Sequence, residues 1–208
     1  MKQRGAKTIL GKAKSFGLLA GALASVSVLG ACVSFGGAEP PPFLLSLTPA
    51  TQVDAGAAHS GPRDDALVIR MLTTPQKLNN LRVPVQTSGT GIAYLKDATW
   101  VDKPARLFEQ LLGETISAKN GRLVLTQMQA RGRADTYLSG ELVNFGLDGP
   151  SLTVIVTYDA VKVRSDQPIE KRRFEARETV GAAQAGPVGE ALNRAANKVA
   201  LEVADWVE

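Results

Sequence analysis

The chain has 208 residues, enough for one globular domain of ordinary size, and its 24 Lys and Arg against 20 Asp and Glu give a formal net charge of +4. Five of those cations, Lys2, Arg4, Lys7, Lys12 and Lys14, fall in residues 1–31, which hold no acid, so the remainder carries 19 cations against 20 acids, or −1. A working domain without cationic excess has no compositional support for nucleic-acid binding, and one cysteine excludes an internal disulfide framework and any cysteine-cluster zinc or iron–sulfur site.

Residues 1–31 have the grammar of an export signal: a cationic stretch from Met1 to Ser15, then an apolar one from Phe16 to Ala31. At about 1.5 Å per residue the apolar run spans roughly 24 Å, short of a hydrocarbon core of about 30 Å, which favours a cleaved signal over a retained span. The run ends in Leu29-Gly30-Ala31-Cys32, which resembles the lipobox of bacterial lipoproteins. That resemblance implies cleavage between Ala31 and Cys32, a diacylglycerol on the Cys32 thiol and an N-acyl chain on the freed amine, with no other cofactor. The competing reading is a free buried cysteine behind an ordinary signal peptide. Each buried methylene is worth about 0.8 kcal/mol, so one chain holds marginally and two or more hold stably. Val33, in place of an aspartate, resembles the proteobacterial signal for delivery to the outer membrane. Residues 32–42, with Gly36, Gly37 and Pro40-Pro41-Pro42, form a tether reaching roughly 30 Å at about 3.3 Å per residue.

The domain proper is expected over residues 43–208. Phe43 to Leu47 predicts a short edge strand, and Ala66 to Leu72, apolar throughout, a strand buried on both faces. Leu81 to Thr87 alternates, but Pro84 lacks a ladder donor and places that strand at an edge or a bulge. Gly89-Thr90-Gly91 turns into Ile92-Ala93-Tyr94-Leu95. Asp102 stands where it could cap a helix whose stripe is Leu107, Phe108, Leu111, Leu112, Thr115 and Ile116, with Asn120-Gly121 as the left-handed stop. Four strand candidates follow, Arg122 to Met128, Thr136 to Leu147, Leu152 to Arg164 and Ile169 to Val180, spaced as an antiparallel run. Gly181 and Gly186-Pro187 break the pattern before a closing helix with Leu192, Ala195, Ala196, Val199, Val203 and Trp206 on one stripe. Strand, strand, strand, helix, four strands, helix predicts a single α/β (α+β) domain: a mixed, mostly antiparallel sheet with two main helices packed on it.

Catalytic arrangements are scarce. Gly89-Thr90-Gly91 leads into strand residues rather than a helix carrying Gly-Lys-Ser/Thr, so it is neither a P-loop nor a dinucleotide fingerprint. His59 is the only histidine and lies among small residues, Asp54 to Pro62, where a positioned base has little support. Asp64-Asp65 precede a strand as solvated loop residues do. Glu170, Glu175 and Glu178 alternate with Lys171, Arg172, Arg173 and Arg177, as on an exposed strand face, where cross-strand pairing and edge protection account for them; the competing use is a contact with anionic head groups. The expectation is no catalytic residue and no metal site. Tyr94 and Trp100 flank the first helix; core packing is the default for both, and aromatics of this kind also serve as partner-binding anchors.

A lipobox, a Pro-rich tether, Leu81-Arg82-Val83-Pro84-Val85, Tyr94 with Trp100 and the helix from Lys103, Tyr137 to Leu142 with Phe145, and the terminal Ala204-Asp205-Trp206 together resemble the ABC-type transport auxiliary lipoproteins. The resemblance covers about residues 43–207. It implies a non-enzymatic α/β domain held by Cys32 at the periplasmic face of the outer membrane. Its implied partners are a periplasmic mammalian-cell-entry (MCE) domain protein and an inner-membrane ABC permease with its ATPase, which move phospholipid. It leaves homo-oligomer formation open. The loop from Asp54 to Pro62 departs from the family pattern. Rival readings are a lipoprotein assisting outer-membrane protein or lipopolysaccharide assembly, a periplasmic lipid carrier, and an envelope hydrolase using Glu175 or Asp135.

Overall fold

The computed structural model describes residues 43–131 and 134–208, apart from the side chain of Arg63; Ala31, Cys32 and the tether lie outside these residues. Its elements are β1 (Leu67–Ile69), β2 (Arg82–Gln86), β3 (Ile92–Thr99), α1 (Pro104–Asn120), β4 (Val124–Thr126), α2 (Gln127–Ala130), β5 (Thr136–Asp148), β6 (Thr153–Arg164), β7 (Glu170–Thr179) and α3 (Ala185–Val207). The expected mixed α/β domain is found.

β5 is the spine. One of its edges pairs along its whole length with β6, which pairs in turn with β7, both antiparallel. The other edge is shared in series: β1 runs parallel to Thr136–Leu138, Thr73 bridges Glu141, and β2 runs parallel to Leu147 and Asp148. β4 adds to β1 in parallel, and β3 adds to β2 antiparallel. Gly140 sits where the spine lies tightest, at φ 152°, and a Cβ there would collide with the carbonyl oxygen of Asp159 on β6. Only glycine fits that approach.

α1 and α3 pack on each other, and α3 lies over β6 and β7. The whole α1 stripe from Leu107 to Ile116 is buried, and Gly121 takes the left-handed conformation at φ 61° that ends the helix. The far end of α3 leaves carbonyl groups without helical partners. Three cations satisfy them: Lys162 donates to the Trp206 carbonyl at 3.0 Å, Arg122 to that of Val207 at 2.9 Å and Arg164 to that of Glu208 at 3.0 Å. Their charge also complements the negative end of the helix dipole.

Several local expectations are corrected. Phe43 to Leu47 forms no strand, only a parallel bridge from Leu45 to Trp100. Of the two places expected for Pro84, the bulge is found and the edge is not: β2 is interior, and its register with β3 shifts between Arg82 and Pro84. Asp102 does not cap α1: Lys103 is the N-cap and Pro104 opens the helix, while the Asp102 carboxylate accepts from the Lys103 amide and pairs with Arg106 at 3.1 Å. The stretch from Arg122 to Met128 is a short parallel strand followed by α2, because Thr126 and Gln129 form a capping box that favours a helical turn over continued strand. Gly186 and Pro187 lie in the first turn of α3, where a missing amide costs no helical hydrogen bond.

Candidate functional site

Among the strands β3 pairs only with β2, so its outer side is a sheet edge up to Thr99, whose carbonyl accepts from Leu45. Leu95 and Ala98 are buried, Lys96 and Asp97 exposed, and Asp97 at φ 56° interrupts the pleat between them. Beyond that interruption Trp100 turns inward. It is 1% exposed, packs against Phe145 with ring centroids 5.4 Å apart, and its indole Nε1 has no acceptor. Trp100 therefore belongs to the core and offers a partner no surface. Tyr94 is half-buried: its hydroxyl accepts from Asn80 Nδ2 at 3.0 Å and donates to the Lys77 carbonyl at 3.4 Å, and the Arg82 guanidinium stands 4.8 Å from the ring centroid. Tyr94 thereby orders the 77–82 loop beside the edge. Tyr94 lies on β3 and Trp100 just past its end, with different partners.

Strand alternation puts a polar lattice on the sheet face away from the helices. Arg173 grips the Asp159 carboxylate with two nitrogens, at 2.6 and 2.8 Å, and Lys171 stands 3.8 Å away. Thr157 donates to Glu175 at 2.8 Å, Arg177 donates to the same carboxylate at 2.8 Å, and Lys77 donates to Asn144 at 2.8 Å. The Arg173 hydrogen bonds hold the Asp159 carboxyl below the usual aspartate range, and the Thr157 hydroxyl, then Arg177, do the same for Glu175. A carboxylate stabilised as the anion is poorly suited to general-acid work. Asp135 accepts from Ser165 at 3.3 Å, eight positions along β6 from Thr157, or roughly 26 Å by strand rise. Glu175 and Asp135 thus do not converge on one reacting bond.

His59 is better supported than its loop predicts. Its Nδ1 lies 2.8 Å from the Ser117 hydroxyl on α1, and Val53 of the same loop donates to Glu114 at 2.8 Å. The Ser117 hydroxyl also reaches the Arg122 carbonyl at 3.2 Å, so the ring belongs to a hydrogen-bonded tie between the loop and the end of α1. The pair straps the loop to the helix. Among the described residues no cluster of three or more His, Cys, Asp or Glu side chains could hold a metal ion, and no helix is long and apolar enough to cross a membrane.

Sequence reasoning missed a group of large apolar side chains around the Leu45–Trp100 bridge. Phe43, Leu44, Leu81 and Val101 are all among the exposed large hydrophobics. Nothing in the local pattern joins them, because Leu45 and Trp100 are far apart in the chain.

The model of the ABC-type transport auxiliary lipoprotein component family matches residues 43–204. The chain belongs to this family. Its function class is accordingly that of an auxiliary lipoprotein of ABC-type transport. Among solved structures it is similar to protein XCC0632 from Xanthomonas campestris, with 17% identity over 79% of this chain and 94% of that one and a TM-score of 0.66. A crystal structure of an uncharacterized protein has 16% identity over 70% of this chain and 93% of its own, with a TM-score of 0.61. These likenesses establish the fold. The PelC dodecamer from Paraburkholderia phytofirmans is 16% identical over 68% of this chain and 92% of its own, with a TM-score of 0.38. No curated protein matches the chain.

Proposed function

We propose that this protein is a non-enzymatic lipoprotein, fastened through acylated Cys32 to the periplasmic face of the outer membrane. There it would dock the periplasmic conduit of an MCE-type phospholipid transport system driven by an inner-membrane ABC permease and ATPase. Membership of the transport auxiliary lipoprotein family carries the reading, and the Leu29-Gly30-Ala31-Cys32 sequence supplies the attachment chemistry. Little is asked of the side chains. A tethered domain meets a partner held in the opposite membrane at millimolar-range effective concentration, so a modest surface suffices. The free edge of β3 beside Tyr94 is the docking surface in this reading, and Trp100 supports it from the core.

The test is membrane fractionation combined with affinity capture. Wild-type protein is expected in the outer-membrane fraction and, after in-cell cross-linking, to bring down an MCE-domain protein. Cys32→Ser should release it to the soluble fraction. Capture of outer-membrane or lipopolysaccharide assembly subunits with no MCE-domain protein would reassign the partner, and an unaltered distribution of the Cys32→Ser protein would end the acyl-anchor reading.

A further inference from the structure

The apolar side chains left in water at one corner of the domain have a place in the chain that says what they meet. Phe43 is 46% exposed, Leu44 52%, Leu81 40% and Val101 49%. A buried ladder gathers them: Leu45 donates to the Thr99 carbonyl at 2.8 Å, Val101 to that of Leu45 at 2.9 Å, and Trp100 to that of Leu81 at 2.7 Å. Leu45 and Trp100 point into the core, at 7% and 1% exposure. Leu44 and Val101, the chain neighbours of this bridged pair, are exposed. An isolated exposed leucine needs no explanation; four large apolar side chains around one bridge do.

We propose that this corner is where the domain rests on the phospholipid surface that holds its tether. The inference rests on the acylation of Cys32 described above. Phe43 is the first described residue and lies eleven positions from Cys32. Eleven positions of chain span at most about 36 Å, so the corner that begins at Phe43 is held within that distance of the lipid. Cations flank the corner: Arg82 follows Leu81, and Lys103, two residues past Val101, is exposed. The intervening acid, Asp102, is engaged by Arg106. Apolar side chains flanked by two cations match the boundary between acyl chains and anionic head groups. Four side chains are also a small area against the roughly 800 Å² per partner that a stable protein interface buries, which disfavours a second copy as the occupant. Resting there, the domain holds the Thr99 end of β3 toward the bilayer and the Ile92 end toward the periplasm; these ends face Arg82 and Gln86 of β2, about 13 Å apart by strand rise.

The experiment uses the full-length acylated protein, whose single native cysteine is consumed by its lipids. Val101→Cys and, as a control, Ile169→Cys are each labelled with an environment-sensitive fluorophore. Ile169 is 70% exposed and adjoins β7 at the opposite edge of the sheet. Each protein is reconstituted into phosphatidylethanolamine/phosphatidylglycerol vesicles carrying nitroxide-labelled acyl chains. Quenching at least twofold stronger at position 101 than at 169 is expected, and introducing Leu44→Glu should abolish that difference while flotation with the vesicles persists. Flotation with equal or no quenching at both positions overturns the corner contact and leaves the anchor reading standing. Failure to float overturns the anchor, and this inference with it. Quenching at 101 that survives Leu44→Glu overturns the role of the apolar corner.

Discussion

Two of the three outer edges of the sheet, β7 and β3, solve the problem of an unpaired strand in opposite ways. β7 is dense in charge, and Asp159 and Glu175 engage Lys171, Arg173 and Arg177, while Glu178 pairs with Arg194 and Lys198 on α3. These charges answer one another inside the domain, so they protect an edge rather than advertise for a ligand. β3 has no such lattice: Ile92 is 47% exposed, and beyond Thr99 the chain leads to the apolar corner about Val101. The lesson is that density of charge marks the self-satisfied edge here, and the edge with little charge is the one assigned to a partner in the proposed function.

Breaking both edges at once requires their common support. Gly140→Ala places a Cβ against the Asp159 carbonyl and enforces a φ that alanine rarely adopts. It is expected to cost on the order of 5 kcal/mol, most of the stability of such a domain, and to erase a cooperative urea transition. A result within 1 kcal/mol of wild type would mean the spine is looser than described.

The contrast sharpens if each edge loses one apolar side chain. Phe174 of β7 is 1% exposed and its ring centroid lies 5.6 Å from that of Trp206, so Phe174→Ala should cost about 3–4 kcal/mol. Ile92→Ala on β3 should change stability by no more than about 0.5 kcal/mol. Equal losses in denaturant titration would show that β3 is buried against something in solution.

The smallest effect is the pH dependence carried by Asp159. Its folded carboxyl titrates below the ordinary aspartate range because Arg173 bonds the anion. A depressed folded value adds stability that is complete above the unfolded value near 3.9 and is lost as pH falls through the folded one. Asp159→Asn should therefore flatten the acid limb of a melting-temperature profile below about pH 4, with a slight loss at pH 7 because the exposed Arg173 is screened by water. An acid limb identical to wild type would remove the ion pair from the account.

Much of the α/β pattern was legible in order along the chain. The α1 stripe, the Gly121 stop, the buried β1 and the alternating β5, β6 and β7 all follow from periodicities confined to a few residues, which local sequence records directly. The candidate site was less legible. Tyr94 and Trp100 look equivalent in sequence, yet the left-handed Asp97 turns one into the core and leaves the other half-buried. Asp102 looks like a helix cap and is instead an ion-pair partner of Arg106.

By itself, then, the sequence determined the two long helices and the long strands β5, β6 and β7, the mixed α/β class and the resemblance to a transport auxiliary lipoprotein. The tertiary structure alone decided that β1 and β2 share one edge of β5, that β4 runs parallel, that Lys162 and Arg122 reach the carbonyls of α3 across 44 and 85 residues, and that Leu45 bridges Trp100. The reason is physical: a period is set by neighbours three or four positions away. Partners across a sheet are chosen by which arrangement buries the most apolar surface with every backbone group satisfied, a property of the whole chain that no window of it contains.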